Sequence, residues 1–222
     1  MELAKKILGS IDNLYSLDNP ERPASIDEAI RLLNQCLEYP HHLGEGKLYG
    51  AQENDFYFLL GLAHERKGDA AEARACYERA TIGPTEPAAA MYYNDAKPDK
   101  IFYAELAYRK LGEDASANSL CYKLLNYGEK HIFDQVRMDY FAVSLPDLLI
   151  WDGNLQQKNT IHCQLMMALG HLGLAQAGGP DANKHSERGM KFLQEVESQD
   201  CNHPVPAALR SLLHSTRMST DC

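Results

Sequence analysis

Several things are scarce in these 222 residues. There is a single Trp, and the six Cys stand at 36, 76, 121, 163, 201 and 222 with no CxxC pair and no His at zinc-ligand spacing. That spread excludes a ribbon-type or finger-type zinc site and a dense disulfide framework, and it fits reduced thiols. Long apolar runs are missing too: nothing approaches the roughly 18 consecutive apolar residues of a membrane span. The first residues (MELAKKILG) lack the apolar stretch of a signal peptide, so a cytoplasmic location is expected. Basic residues are outnumbered, 22 Lys and Arg against 31 Asp and Glu for a net charge of −9. They are also scattered, with no stripe able to track a phosphate backbone, so nucleic acid is not an expected partner, nor is an anionic membrane. No low-complexity block and no segment with strand alternation is present, and a hydrophobic fraction of 45% is ordinary for a globular chain.

Motifs for chemistry are equally sparse. No HExxH, nucleophile elbow or phosphate-cradling glycine loop occurs, and the His41-His42 pair has no third ligand at metal spacing. Asp139, Asp147 and Asp152 could be imagined as an acid and base pair, but linear sequence defines no separation across a cleft, and solvated surface acids are the better reading. Cys36 and Cys121 fall on packing positions, where a thiol acts as a small apolar filler. No catalytic residue, cofactor site or metal site is expected.

What the chain does have is an internal repeat. Tyr57, Leu60, Gly61, His64, Gly68, Ala73, Tyr77 and Ala80 follow the tetratricopeptide pattern, two antiparallel helices whose small residues admit the large ones opposite. Gly68 suits a left-handed C-cap, and Asp69 can cap the next helix. Ala29, Ala73 and Ala117 recur at a spacing of 44, with Leu33, Tyr77 and Cys121 at the large position, Cys36, Ala80 and Leu124 at the next, and Pro40 and Pro84 closing two copies. The spacing exceeds the ~34 residues of a standard repeat, and the surplus falls in the connections 39–54 and 81–99. Gly112 answers Gly68, which predicts helices over 100–111 and 114–127. Glu105 stands where the pattern wants Gly, so this unit is degenerate.

The expected fold is all-α, a tetratricopeptide-like right-handed superhelix of helix hairpins. Its expected parts are an N-terminal helix and loop over 1–24, three repeat units over 25–130, and an aromatic-rich connection over 131–154 interrupted at Pro146. A fourth hairpin with a stretched turn follows over 155–199 (helices 155–174 and 184–197), then a capping helix over 203–218. Leu3, Ile7, Ile11 and Leu14 at one end, and Val205, Leu209, Leu212 and Leu213 at the other, form the apolar stripes such end caps need.

The runs 44–55 (GEGKLYGAQEND), 86–95 (EPAAAMYYND), 127–131 (YGEKH) and 139–148 (DYFAVSLPDL) are not generic repeat sequence. Together they resemble the C-terminal tetratricopeptide region of a bacterial family of unknown function, over about 40–174. The resemblance implies longer relatives with a β-rich, carbohydrate-enzyme-like N-terminal region. Only the repeats are matched here, and the expectation is a fragment of a longer protein or a stand-alone paralogue. Any sugar chemistry of the family would reside in the missing part.

Two residue sets are candidate contact surfaces. Outward positions of the first helices give a groove of Asp55, Phe58, Leu62, Glu65, Arg66, Asp99, Phe102, Leu106, Arg109 and Lys110. There apolar anchors and cations suit a peptide or protein domain, one candidate being a β-rich domain of the same or a related chain. The alternative, held at even odds, is that Phe and Leu are core and the charges a solvated face. The long loops add Tyr49, Gln52, Asn54, Tyr92, Tyr93, Asn94 and Asp95, which either bind a sugar or peptide or lock the loops to the scaffold, the second being favoured. The leading expectation is a binding scaffold, monomeric or weakly dimeric. A sugar-contacting accessory of an enzyme, using Tyr92, Tyr93 and Trp151, is the alternative.

Overall fold

A computed structural model of the chain describes residues 22–40, 42, 46–47, 50–89, 95–136 and 154–217. Eight helices run through them in chain order: α1 (Arg22–Cys36), α2 (Asn54–Lys67), α3 (Ala70–Ala80), α4 (Pro98–Lys110), α5 (Asp114–His131), α6 (Leu155–Gln176), α7 (Ala182–Gln199) and α8 (Pro204–Arg217). No strand occurs among the described residues, and the fold is all-α and tetratricopeptide-like. The N-terminal stripe Leu3, Ile7, Ile11 and Leu14 and the connection around Pro146 lie outside the described residues, as do the side chains of Leu212 and Leu213.

The helices pair as α2 with α3, α4 with α5, and α6 with α7. First helices also pack on first helices, α2 on α4 and α4 on α6, while α3 packs on α4 and α5 on α6. Each hairpin therefore touches its sequence neighbours, the quasi-one-dimensional arrangement of a repeat stack. The alanines that recur at a spacing of 44 sit where a helix crossing leaves no room: Ala29, Ala73 and Ala117 are all buried, and so are Leu33, Tyr77 and Cys121. Pro40 and Pro84 lie beyond the ends of α1 and α3.

Both clear turns are built identically. Gly68 takes φ +90°, donating its N–H to the Glu65 carbonyl, while Asp69 N–H reaches the His64 carbonyl at 2.9 Å. Forty-four residues on, Gly112 at φ +80° donates to Arg109 and Glu113 N–H to Tyr108 at 2.8 Å. Glycine takes the left-handed conformation without a Cβ penalty, and the returning N–H groups satisfy carbonyls that the helix end leaves orphaned. Asp69 does not cap α3 with its side chain, contrary to the sequence expectation. Its carboxylate lies 3.6 Å from the His64 ring nitrogen and 4.0 Å from the Lys67 ammonium on α2 instead.

Small residues set how closely the helices approach. At Gly61 an added Cβ would lie 2.4 Å from a Tyr77 ring carbon, so the ring occupies the volume that any other residue would need. Between α5 and α6, a Cβ on Gly128 would meet the Cys163 carbonyl at 2.7 Å, and one on Gly170 the Cys121 carbonyl at the same distance. Backbone thus packs directly on backbone there, and the many small dispersion contacts of such a seam replace large interlocking side chains.

Candidate functional site

The first helices α2 and α4 lie side by side, and the groove positions expected on them divide into two groups. Phe58, Leu62, Phe102 and Leu106 are not groove anchors. They are core, with relative exposures of 1, 6, 0 and 3%. The cause is the stacking itself: the Phe58 ring centroid is 5.7 Å from Tyr77 of its own hairpin and 5.8 Å from Tyr103 of α4. Burying such side chains stabilises by about 1.5–3 kcal/mol each, which an exposed position on a ligand-free groove forfeits.

The charged positions remain at the margin. Asp55 pairs with Lys100 across α2 and α4, and Lys100 also lies over the Phe56 ring. Asp99 is half-buried. Burial pushes its acid above the ordinary range, the Lys100 charge opposes this, and the Asp55 carboxylate adds to it. Glu65 accepts from Lys110 at 2.8 and 3.0 Å and from the Tyr77 hydroxyl at 2.6 Å. Burial would raise its acid, but those two donors outweigh it and hold Glu65 below the usual carboxylate range. Arg66 is exposed beside it.

Arg109 is not available to a ligand carboxylate as the sequence reading had it. It is 12% exposed and its guanidinium binds Glu105 on α4, Asn118 Oδ1 on α5 at 2.9 Å and the Gly173 carbonyl on α6 at 3.0 Å. One side chain therefore ties three helices together, with the planar fork that makes Arg suited to several acceptors at once. Glu105 is fully buried, and its Oε2 has no hydrogen-bond partner. Burial pushes its pKa up to about 7 although Arg109 works against this.

Comparing the two units explains how Glu replaces Gly. In the first, Gly61 faces Tyr77, whose hydroxyl bonds Glu65. In the second, Glu105 faces the smaller Cys121, and Arg109 stands where Glu65 stood. The volume given up by Tyr is filled by Glu, and the carboxylate that a phenol needed becomes the guanidinium that a buried Glu needs.

The loop set also acts on the scaffold. Gln52 donates to the Asp95 carbonyl at 2.8 Å and accepts from Lys97 N–H at 3.0 Å, stitching the approach to α2 onto the approach to α4. Asn54 is buried and donates to the carbonyls of Ala80 and Ile82 at 2.8 and 3.0 Å, closing the end of α3. Asp95 is half-buried next to these bonds. Tyr49, Tyr92, Tyr93 and Asn94 lie outside the described residues, as do Asp139, Asp147, Trp151 and Asp152.

A tetratricopeptide repeat family model matches residues 55–81. That stretch is α2, its turn and α3, the hairpin closed by Gly61 against Tyr77. No solved structure matches the chain. Tetratricopeptide repeats generally mediate contacts between proteins, and helical-repeat folds of this type are typically non-catalytic. Among the described residues no helix is long and apolar enough to cross a membrane, and no group of three or more His, Cys, Asp or Glu side chains converges on a metal position.

Sequence reading missed residues whose partners lie far along the chain, in a connection or on another helix. His162 Nε2 is 2.7 Å from the Ala88 carbonyl and its ring meets Tyr127 edge-on, while His171 and His185 meet nitrogen to nitrogen. Their sequence separations follow no motif, so only the folded arrangement reveals them.

Proposed function

We propose that this chain is a protein-interaction scaffold that holds a peptide or a protein domain along the face of its tetratricopeptide first helices, α2 and α4. The observation that carries the reading is the tetratricopeptide hairpin at 55–81 stacked on a second hairpin, so that matching positions of consecutive first helices share one face. Because the apolar positions of that face are core, recognition falls to its charged margin: Asp55 and Asp99 towards one end, Arg66 and the Lys110–Glu65 pair towards the other. Charges arranged in this way favour specificity and encounter rate over raw affinity. A β-rich domain of a related chain is one candidate partner, in line with the family resemblance.

The test is affinity capture from cell extract with the wild-type chain and with the double variant R66E/K110E. Both positions are exposed, so the variant keeps its helical signal while partners held by this face are lost from the captured set. A variant that is folded and captures every partner that the wild type captures places the contact surface elsewhere.

A further inference from the structure

The first helix of the third hairpin is enclosed on every side. From Leu165 to Leu174 each residue of α6 is buried, a stretch of about three turns at 3.6 residues per turn. Helices α4, α5 and α7 pack on it. A first helix flanked in this way still turns one side to the concave face of the stack, where an open groove would leave its residues exposed. That side is covered, and α8 is placed to cover it. Pro206 and Leu209, one turn apart, are fully buried, whereas Pro204 and Ala207 are exposed.

The turn ahead of α8 bends towards the first helices. His203 in that turn is near Asp99 at the start of α4 and near the His162 ring on α6. Burial depresses the His203 imidazole, and the Asp200 and Asp99 carboxylates oppose this. Burial also depresses His162, the Ala88 carbonyl opposes it, and the His203 charge adds to the fall. From there α8 lies on α7, where Arg210 donates from Nε and Nη2 to the Glu197 carboxylate at 3.0 and 2.5 Å. The helix is thus held at two points, by the turn beside α4 and α6 and by Arg210 on α7.

We propose that α8 is an internal ligand of the concave face at α4 and α6, and that a partner segment of the same build takes this face by displacing it. The build is legible in α8 itself. Pro204 opens the helix, Val205 and Pro206 stand four and three positions before Leu209, and the cation Arg210 follows to meet Glu197. A short amphipathic helix with a basic edge is therefore the class of partner that fits, laid into the groove by its apolar face. The acidic balance of the chain, −9 overall, favours the approach of such a cationic segment. Residues 200–203 alone join α7 to α8. Over so short a link the internal copy acts at an effective concentration on the order of millimolar, and a partner has to outbind it. The displacement rests on the scaffold reading; the occupation of the face by α8 does not.

The experiment uses the full chain, wild type and L209E, with a labelled peptide of residues 203–217 as the probe. Glu at 209 puts an unpaired carboxylate into a buried place and releases the internal copy. Fluorescence anisotropy should show the peptide binding L209E more than about tenfold tighter than the wild type, whose own α8 fills the site. Amide hydrogen exchange should place the new protection on α6 and the start of α4. A peptide that itself carries L209E should bind neither chain. If L209E loses its helical signal, R210E takes its place, opposing Glu197 instead of pairing with it. The double variant E197R/R210E, which restores the pair with its charges exchanged, should then return peptide binding to the wild-type level. Equal affinity of the peptide for the wild type and the folded variant, no binding to the variant, or protection that misses α6 overturns the inference and leaves α8 an end cap on α7. Each of those results leaves the capture comparison with R66E/K110E untouched, because those substitutions lie at the other end of α2 and α4, so the two readings fail separately.

Discussion

Replacing Glu105 by Gln tests the most unusual feature of the core. The carboxyl has no exposure, and its charge is stabilised chiefly by Arg109, with the Cys121 thiol adding to it. The folded chain holds its proton more tightly than the unfolded chain, with a pKa pushed from 4.5 to about 7. A raised acid contributes stability that is complete below about pH 4.5 and is lost as the pH climbs through about 7. The whole swing is the shift multiplied by 1.36 kcal/mol, about 3 kcal/mol. Gln keeps an acceptor for the guanidinium and never ionises, so E105Q lacks this swing. Urea unfolding of both proteins between pH 5 and 8.5 should show the variant gaining on the wild type by about 2–3 kcal/mol as the pH rises. The other titrating groups are common to both proteins and largely cancel in the difference. A difference that stays flat, or that shrinks towards high pH, refutes the reasoning and means that Arg109 and nearby dipoles solvate a permanent carboxylate at Glu105.

Gly61→Ala puts a methyl 2.4 Å from a Tyr77 ring that Phe58 and the Glu65 hydrogen bond hold in place. Overpacking of about 1–3 kcal/mol, set against about 1 kcal/mol of gained helix propensity, predicts a net loss of up to about 2 kcal/mol in urea unfolding; a variant more stable than the wild type shows that the ring has room to move. Asn54→Ala strands the Ala80 and Ile82 carbonyls and should cost about 1–3 kcal/mol. Faster amide hydrogen exchange at the end of α3, with the α6–α7 hairpin unaffected, would locate that loss, whereas unchanged exchange there would mean that water replaces the amide.

The fold was legible because its signals are local and repeated. A glycine able to take positive φ, an alanine at a crossing and a large residue one turn later recur at one spacing, and each has a physical reason to stand at its place. Gly68 and Gly112 form the same turn, and Ala73 and Ala117 are buried alike. The groove was less legible because a stripe of Phe and Leu on a first helix looks the same whether it faces a ligand or the next hairpin. Only the position of Tyr103 beside Phe58 decides that case. Arg109 was misread for a related reason: its acceptors lie on other helices, Asn118 on α5 and the Gly173 carbonyl on α6, the latter 64 residues along the chain.

The exchange between the two units shows why a degenerate repeat need not be a weak one. A pattern describes one solution to the crossing, small against large, and Gly61 against Tyr77 follows it. Glu105 against Cys121 keeps the crossing filled but places a carboxyl where a phenol ring had been, and a buried carboxyl needs a cation. Arg109, one helical turn on, meets that need, and it has donors left for Asn118 and for the Gly173 carbonyl of the following hairpin. Gly173 has to be small for this, because a Cβ there would lie 2.5 Å from Cys121 Sγ and 3.2 Å from Glu105 Oε2. The departure from the repeat pattern at Glu105 is thus coupled to Arg109, Cys121 and Gly173. It turns what would be packing within one hairpin into a tie between that hairpin and the next.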